Sequence, residues 1–184
     1  MFIYPPASEA WPSKNVEECG VGLSEKIDFS QIRFLIVDPN PLSTELLYDI
    51  LRMLGAIAIR KVADSNKALA VIKAGEVDVM ITEWIVEPLS GIELIDTVRN
   101  TMHSPNRMLP IIMLTANSEP EYVIEARDRG VTEFLAKPFT VDALYRRLVS
   151  VIARPRPFVN ADEYFGPDRR RRQVPHRGQN RRAD

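Results

Sequence analysis

Between residues 32 and 153 the chain repeats one pattern five times: a short apolar run, a polar turn, then a helical spacing of apolar residues. The first run, Ile32–Val37, suits a buried strand and is followed by Asp38-Pro39-Asn40-Pro41. Asn40 is placed to cap a helix that starts at Pro41, and Leu42, Leu46, Ile50 and Leu54 recur at helical spacing before Gly55 ends it. The pattern then gives strands at Ala56–Val62, Val77–Thr82, Pro110–Thr115 and Val131–Ala136. Asp64 caps a helix carrying Ala68, Leu69 and Ile72 that ends at Gly75, and a further helix runs from about Ser90 to Asn100. Ser118 and Glu121 predict a capping box for a helix that closes at Gly130, and Thr140 caps the last one, with Val141, Leu144, Leu148 and Val151 on one stripe.

Five alternating strands and helices joined by short loops imply an α/β unit: a doubly wound five-stranded parallel sheet covered by helices on both faces. In such a sheet ligands bind outside the carboxyl ends of the strands. With 184 residues, 45% hydrophobic and 27% charged, the chain fits one soluble domain with extensions, and it has no apolar stretch of membrane-spanning length. One cysteine, Cys19, with only His103 and His176 for company, offers neither a disulfide nor a zinc cluster. Residues 1–30 read as an N-terminal extension broken by Pro5, Pro6 and Pro12, with no signal-peptide pattern, and Phe2-Ile3-Tyr4 and Trp11 as its only anchors. A cytoplasmic protein is expected.

The strand exits carry Asp38, Glu83, Thr115 and Lys137. Two carboxylates, a hydroxyl and an ammonium converging on one crevice suit a phosphoryl group or a cation. With their flanks, Phe34-Leu-Ile-Val-Asp38, Val79-Met-Ile-Thr-Glu83-Trp84, Ser90-Gly91-Ile-Glu-Leu, Ile111-Ile-Met-Leu-Thr115-Ala116 and Glu133-Phe134-Leu-Ala-Lys137-Pro138-Phe139, these residues resemble the receiver domain of two-component response regulators over about residues 31–153. The resemblance implies a flavodoxin-like, CheY-like fold without enzymatic activity of its own. It implies an aspartate at the end of the third strand that takes a phosphoryl group from a histidine kinase, and two acids after the first strand that bind magnesium. The hydroxyl and the lysine engage the phosphoryl oxygens, and an aromatic three residues before the lysine changes rotamer. By position these roles fall on Glu83, Asp38, Thr115, Lys137 and Phe134. It also implies a cis Lys137–Pro138 bond and an output surface near Glu121, Glu125, Arg146 and Arg147.

Two positions depart from that pattern. The acceptor slot holds glutamate, and the second corner acid is replaced by Pro39. Magnesium prefers near-octahedral oxygen ligation, so Asp38 and Glu83 form at best a residual metal site. Glu83 is one methylene too long for in-line attack on phosphorus, where a misplacement near 1 Å costs roughly 100-fold. The expectation is a pseudo-receiver, not phosphorylated in the ordinary way, whose Glu83 reaches toward Lys137 and Thr115 and imitates part of an acyl phosphate. A phosphorylatable receiver with unusual acceptor chemistry is the first alternative. Phe134 reads equally well as a core aromatic. Trp84 reads as loop packing, and His103 and Glu87 as surface residues.

The formal net charge of −1 conceals a division. Residues 1–153 hold 15 Lys and Arg against 21 Asp and Glu, whereas residues 154–184 hold 9 Arg against 4 acids. Four prolines and few apolar residues predict a disordered arginine-rich C-terminal tail. Three uses compete for it: nucleic-acid binding, docking on a protein through Phe158, Tyr164, Phe165 and the run Arg169, Arg170, Arg171 and Arg172, or folding back on the domain. The expected partners are a sensor kinase, a phosphotransfer protein or a regulator, with nucleic acid through the tail as the alternative.

Overall fold

A computed structural model describes residues 27–170 apart from 102, 103, 105, 162 and 163. Strands β1 (Arg33–Val37), β2 (Ala58–Val62), β3 (Val79–Thr82), β4 (Ile111–Thr115) and β5 (Glu133–Ala136) form one parallel sheet in the order β2-β1-β3-β4-β5. Helices α1 (Pro41–Met53), α2 (Ser65–Lys73), α3 (Gly91–Asn100), α4 (Pro120–Asp128) and α5 (Val141–Ala153) connect and follow them. Because side chains alternate along a strand, one run feeds two cores. Phe34, Ile36, Val79, Ile81, Ile112 and Leu114 pack with Leu47, Ile50 and Leu51 of α1 and Leu144, Leu148 and Val151 of α5. Leu35, Val37, Met80, Ile111 and Met113 pack on the other face with Ala68 and Ile72 of α2, Leu94, Ile95 and Val98 of α3 and Ala126 of α4. Each of these large side chains contributes roughly 1.5–3 kcal/mol by leaving water.

The cap signals hold at three of the predicted positions. Asn40 accepts from the amides of Leu42 and Ser43, Asp64 from Lys67 and Thr140 from Ala143. The predicted Ser118 and Glu121 box does not form. Pro120 takes the first helical position, where its missing N–H is harmless, and so makes Glu119 the cap residue. A complete capping box occurs instead at Ser90 and Glu93. The predicted α1 stripe is also only half buried. Ile50 is in the core, but Leu42 and Leu46 are 82% and 56% exposed, and Thr44, Leu47 and Leu51 take the inner face with it. Steps of four residues drift by about 40° each on a helix of 3.6 residues per turn, so such a row winds off the core.

Both domain boundaries move outward. Asp28 caps a 3-10 turn at Phe29–Gln31, and Phe29 is buried against Phe34 and Tyr145, so the folded body begins before residue 31. At the other end the described residues among 154–170 are not a disordered tail. Strands β6 (Phe158–Ala161) and β7 (Tyr164–Pro167) pair antiparallel as a hairpin that packs back on the domain. Its aromatic residues need no core of their own, because they rest on arginine side chains and on the α4–β5 turn. The remaining tail, with Arg171 and Arg172, and the anchors Phe2, Ile3, Tyr4, Trp11, Cys19 and His103 lie outside the described residues.

Candidate functional site

Strand order reverses between β1 and β3, where Val37 pairs with Thr82, so the two residues that follow, Asp38 and Glu83, leave the sheet side by side. Lys137 follows β5 two strands away, and its amide donates to the Thr115 carbonyl at 2.7 Å. Lys137–Pro138 is a cis bond, as the resemblance implies, and Glu87–Pro88 in the loop after β3 is cis as well.

The long lysine side chain crosses back over the strand ends and closes the crevice. Its Nζ donates to Glu83 Oε2 at 2.7 Å, to Asp38 Oδ2 at 2.8 Å and to Ser43 Oγ at 2.8 Å. Ser43 Oγ in turn donates to Asp38 Oδ2 at 2.7 Å. The other Asp38 oxygen accepts from the Asn40 amide at 2.8 Å, and the other Glu83 oxygen from the Trp84 amide at 2.7 Å. All four carboxylate oxygens therefore accept at least one hydrogen bond from the protein. Burial disfavours the Lys137 ammonium, yet its hydrogen bonds to Asp38 and Glu83 and their charges outweigh that penalty and leave its pKa raised.

Local sequence explains the arrangement. Ser43 is the third residue of α1, and the turn of Asp38-Pro-Asn-Pro brings its hydroxyl back over the exit of β1. Gly91 lies against the loop after β3: a Cβ there would come within 2.1 Å of the Glu83 carbonyl oxygen, so only glycine lets α3 begin this close. The Gly91 amide donates to the Trp84 carbonyl at 2.8 Å, which fixes the segment that presents Glu83. The Trp84 ring is half-buried and meets Tyr122 of α4 edge-on at 4.9 Å, linking this loop to α4.

Three of the four strand-exit residues, Asp38, Glu83 and Lys137, thus form one charged cluster. Thr115 is buried beside it, and its hydroxyl accepts from the Asn117 amide at 3.2 Å. Phe134 is half-buried, packed against the core that lies under α2, α3 and α4. Glu87 is exposed, its carbonyl accepting from the Ser65 amide. The tail anchors Phe158, Tyr164 and Phe165, with Arg169 and Arg170, are not brought to this site; they lie with the hairpin by the entry ends of β4 and β5. Sequence reasoning missed Ser43, whose only signal is a hydroxyl in the first turn of the helix after the acidic corner.

The donor set does not fit magnesium. No described group of three or more Asp, Glu, His or Cys side chains can surround an ion. The oxygens of Asp38 and Glu83 that face each other across the crevice already share the Lys137 ammonium, and Pro39 offers no oxygen in the second acid's place. Among the described residues no helix is long and apolar enough to cross a membrane.

Comparison with known proteins agrees with this fold. Residues 34–149 match the model of the response regulator receiver domain. The chain is 31% identical over 130 residues to the chemotaxis protein CheY-3 of Vibrio cholerae, covering 71% of this chain and 98% of that one. Among solved structures, a putative response regulator from Chloroflexus aurantiacus is 31% identical with a TM-score of 0.62, covering 67% of this chain and 98% of its own. The receiver domain of a sensor histidine kinase from Pseudomonas aeruginosa, with magnesium ion coordinated in its active site cleft, is 28% identical with a TM-score of 0.60 and covers 66% and 98%.

Proposed function

Because the chain belongs to the response regulator receiver family of two-component signalling, we propose that it is an atypical receiver acting by protein–protein binding and not phosphorylated on its acceptor slot in the ordinary way. The observation that carries this reading is the Lys137 ammonium held at 2.7 Å from Glu83 and 2.8 Å from Asp38. The lysine that would neutralise an incoming phosphoryl group is instead engaged by the carboxylate in the acceptor slot. Glu83 supplies one negative charge where an acyl phosphate brings about 1.5 to 2, and it accepts from Lys137 and from the Trp84 amide but, against the expectation from the sequence, does not reach Thr115, so it imitates the phosphorylated state at the lysine contact alone.

The position of Pro39 supports the same conclusion, since phosphoryl transfer at this slot calls for a cation that the remaining donors do not hold. Partners of the domain would be a kinase, a phosphotransfer protein or a regulator.

The test is incubation with acetyl phosphate and magnesium, read by intact mass. The wild-type chain is expected to gain no phosphoryl adduct, whereas the double variant Pro39→Asp with Glu83→Asp restores the missing corner carboxylate and the shorter acceptor side chain and gains one. A stoichiometric adduct on wild-type Glu83 overturns the proposal in favour of a phosphorylatable receiver with unusual acceptor chemistry.

A further inference from the structure

The hairpin is built into the strand-entry end of the sheet by several independent contacts. Gly166 of β7 backs onto Gly130 in the α4–β5 turn: a Cβ on Gly166 would fall 2.9 Å from the Gly130 Cα and 2.5 Å from the Tyr164 hydroxyl oxygen. A Cβ on Gly130 would meet the Phe165 carbonyl oxygen at 3.2 Å. Arginines cover the hairpin aromatics. Arg107 lies over Phe165 and Arg169 over Tyr164, both at 3.9 Å, and Arg99 lies over Phe158 at 5.1 Å. Arg169 also pairs with Asp128 at 3.2 Å.

One further tie runs from this module into β5. Arg156, just ahead of β6, donates to the Thr132 carbonyl and to Glu133 Oε1, and to the Asp168 carbonyl of the hairpin's far side. Glu133 is the first residue of β5, and it also accepts from Arg147 and Ser150 of α5. Its neighbour along the strand is Phe134, and two residues beyond Phe134 the strand ends at Ala136, where Lys137 begins. Four strand residues span about 13 Å. A tie that holds Glu133 at one end therefore sets the strand whose other end delivers the lysine of the charged cluster.

We infer that the hairpin is an internal partner of the domain, coupled through β5 to the Glu83–Lys137 cluster, so that undocking it loosens the cluster and breaking the cluster loosens the hairpin. The inference rests on the reading of that cluster as the element that sets the domain's state. Linkage requires the effect to be reciprocal, typically 5- to 150-fold in each equilibrium. Residues Phe158, Tyr164, Phe165 and Arg169 then act on their own domain in place of an outside partner.

The experiment uses the full chain and nuclear magnetic resonance. Gly166→Val undocks the hairpin. The expected results are faster amide exchange at Asn160 and Phe165 and shifted resonances for the Phe134 ring and the Lys137 ammonium. Glu83→Gln is expected in return to raise exchange at Asn160 and Phe165 by at least about 5-fold. Arg156→Gln, which cuts the tie to Glu133 while sparing the glycine contact, should move the Lys137 resonance in the same direction and serves if Gly166→Val does not fold. An opened hairpin with unmoved Phe134 and Lys137 resonances, or hairpin amides indifferent to Glu83→Gln, overturns the inference. Neither outcome depends on the phosphodonor experiment, so a failure of the coupling is distinguishable from a failure of the site reading.

Discussion

Two cations, one half-buried and one fully buried, close the two ends of the sheet, and their surroundings differ. At the exit end Lys137 lies between two carboxylates. At the entry end Arg99, fully buried, is satisfied by neutral groups: it donates to the carbonyls of Gly130, Arg107 and Leu109 and lies over the Phe158 ring. Burial is the largest influence on both, but the outcomes are opposite. The carboxylates leave the Lys137 pKa raised, whereas the Arg99 guanidinium is lowered to about 9. A desolvated cation keeps its charge firmly where formal negative charge faces it, while carbonyl dipoles offset only part of the penalty. The guanidinium fork of Arg99 is matched to carbonyls fixed by the backbone, whereas the partners of Lys137 are side chains able to rearrange.

The contrast is broken most directly at Arg99. Arg99→Ala leaves buried carbonyls without donors and is expected to lose about 3–5 kcal/mol of stability in urea unfolding. A loss below about 1 kcal/mol would show that the entry end does not depend on this cation. Lys137→Met comes next. It leaves Asp38 and Glu83 facing each other, and with Lys137 still about a fifth exposed the expected loss at neutral pH is roughly 1–3 kcal/mol.

The sign of the Lys137 contribution with pH follows from its raised pKa. It is fully present below the ordinary lysine value of 10.5 and declines as pH rises through the folded-state value, so wild type should converge on Lys137→Met only in strong alkali. Equal pH profiles for the two proteins above pH 9 would remove the ion cluster from the stability argument. The smallest effect is at Ser43. Ser43→Ala removes two charge-assisted hydrogen bonds, one from Lys137 and one to Asp38, but leaves the two charges paired with each other, and is expected to lose about 1 kcal/mol. Combined with Glu83→Gln, it should show a non-additive effect, because both residues contact the same ammonium.

The strands, the order of the elements and three of the four site residues were legible because each rests on a local signal: an apolar run, a cap, or a residue at a strand exit. The winding of α1 was not, because a row of leucines at four-residue steps says nothing about where the sheet lies. The hairpin was misread for a related reason. Its sequence is too polar to form a core, but Phe158 and Phe165 pack on arginines 50 or more residues earlier, and no local pattern links Arg99 and Arg107 to them. Arg99 itself gave no signal. An arginine in the last turn of a helix ordinarily faces solvent, and here the hairpin and the start of β4 enclose it.

Lys137 stands where a soluble ion or a transferred group would otherwise enter, and its tether is covalent. Its local concentration is thus set by the chain and not by the supply of magnesium or phosphodonor. On the proposed reading such a domain has no chemical dial at this site. What varies is how many copies the cell makes and which other proteins compete for them, so the quantity that carries its signal is abundance.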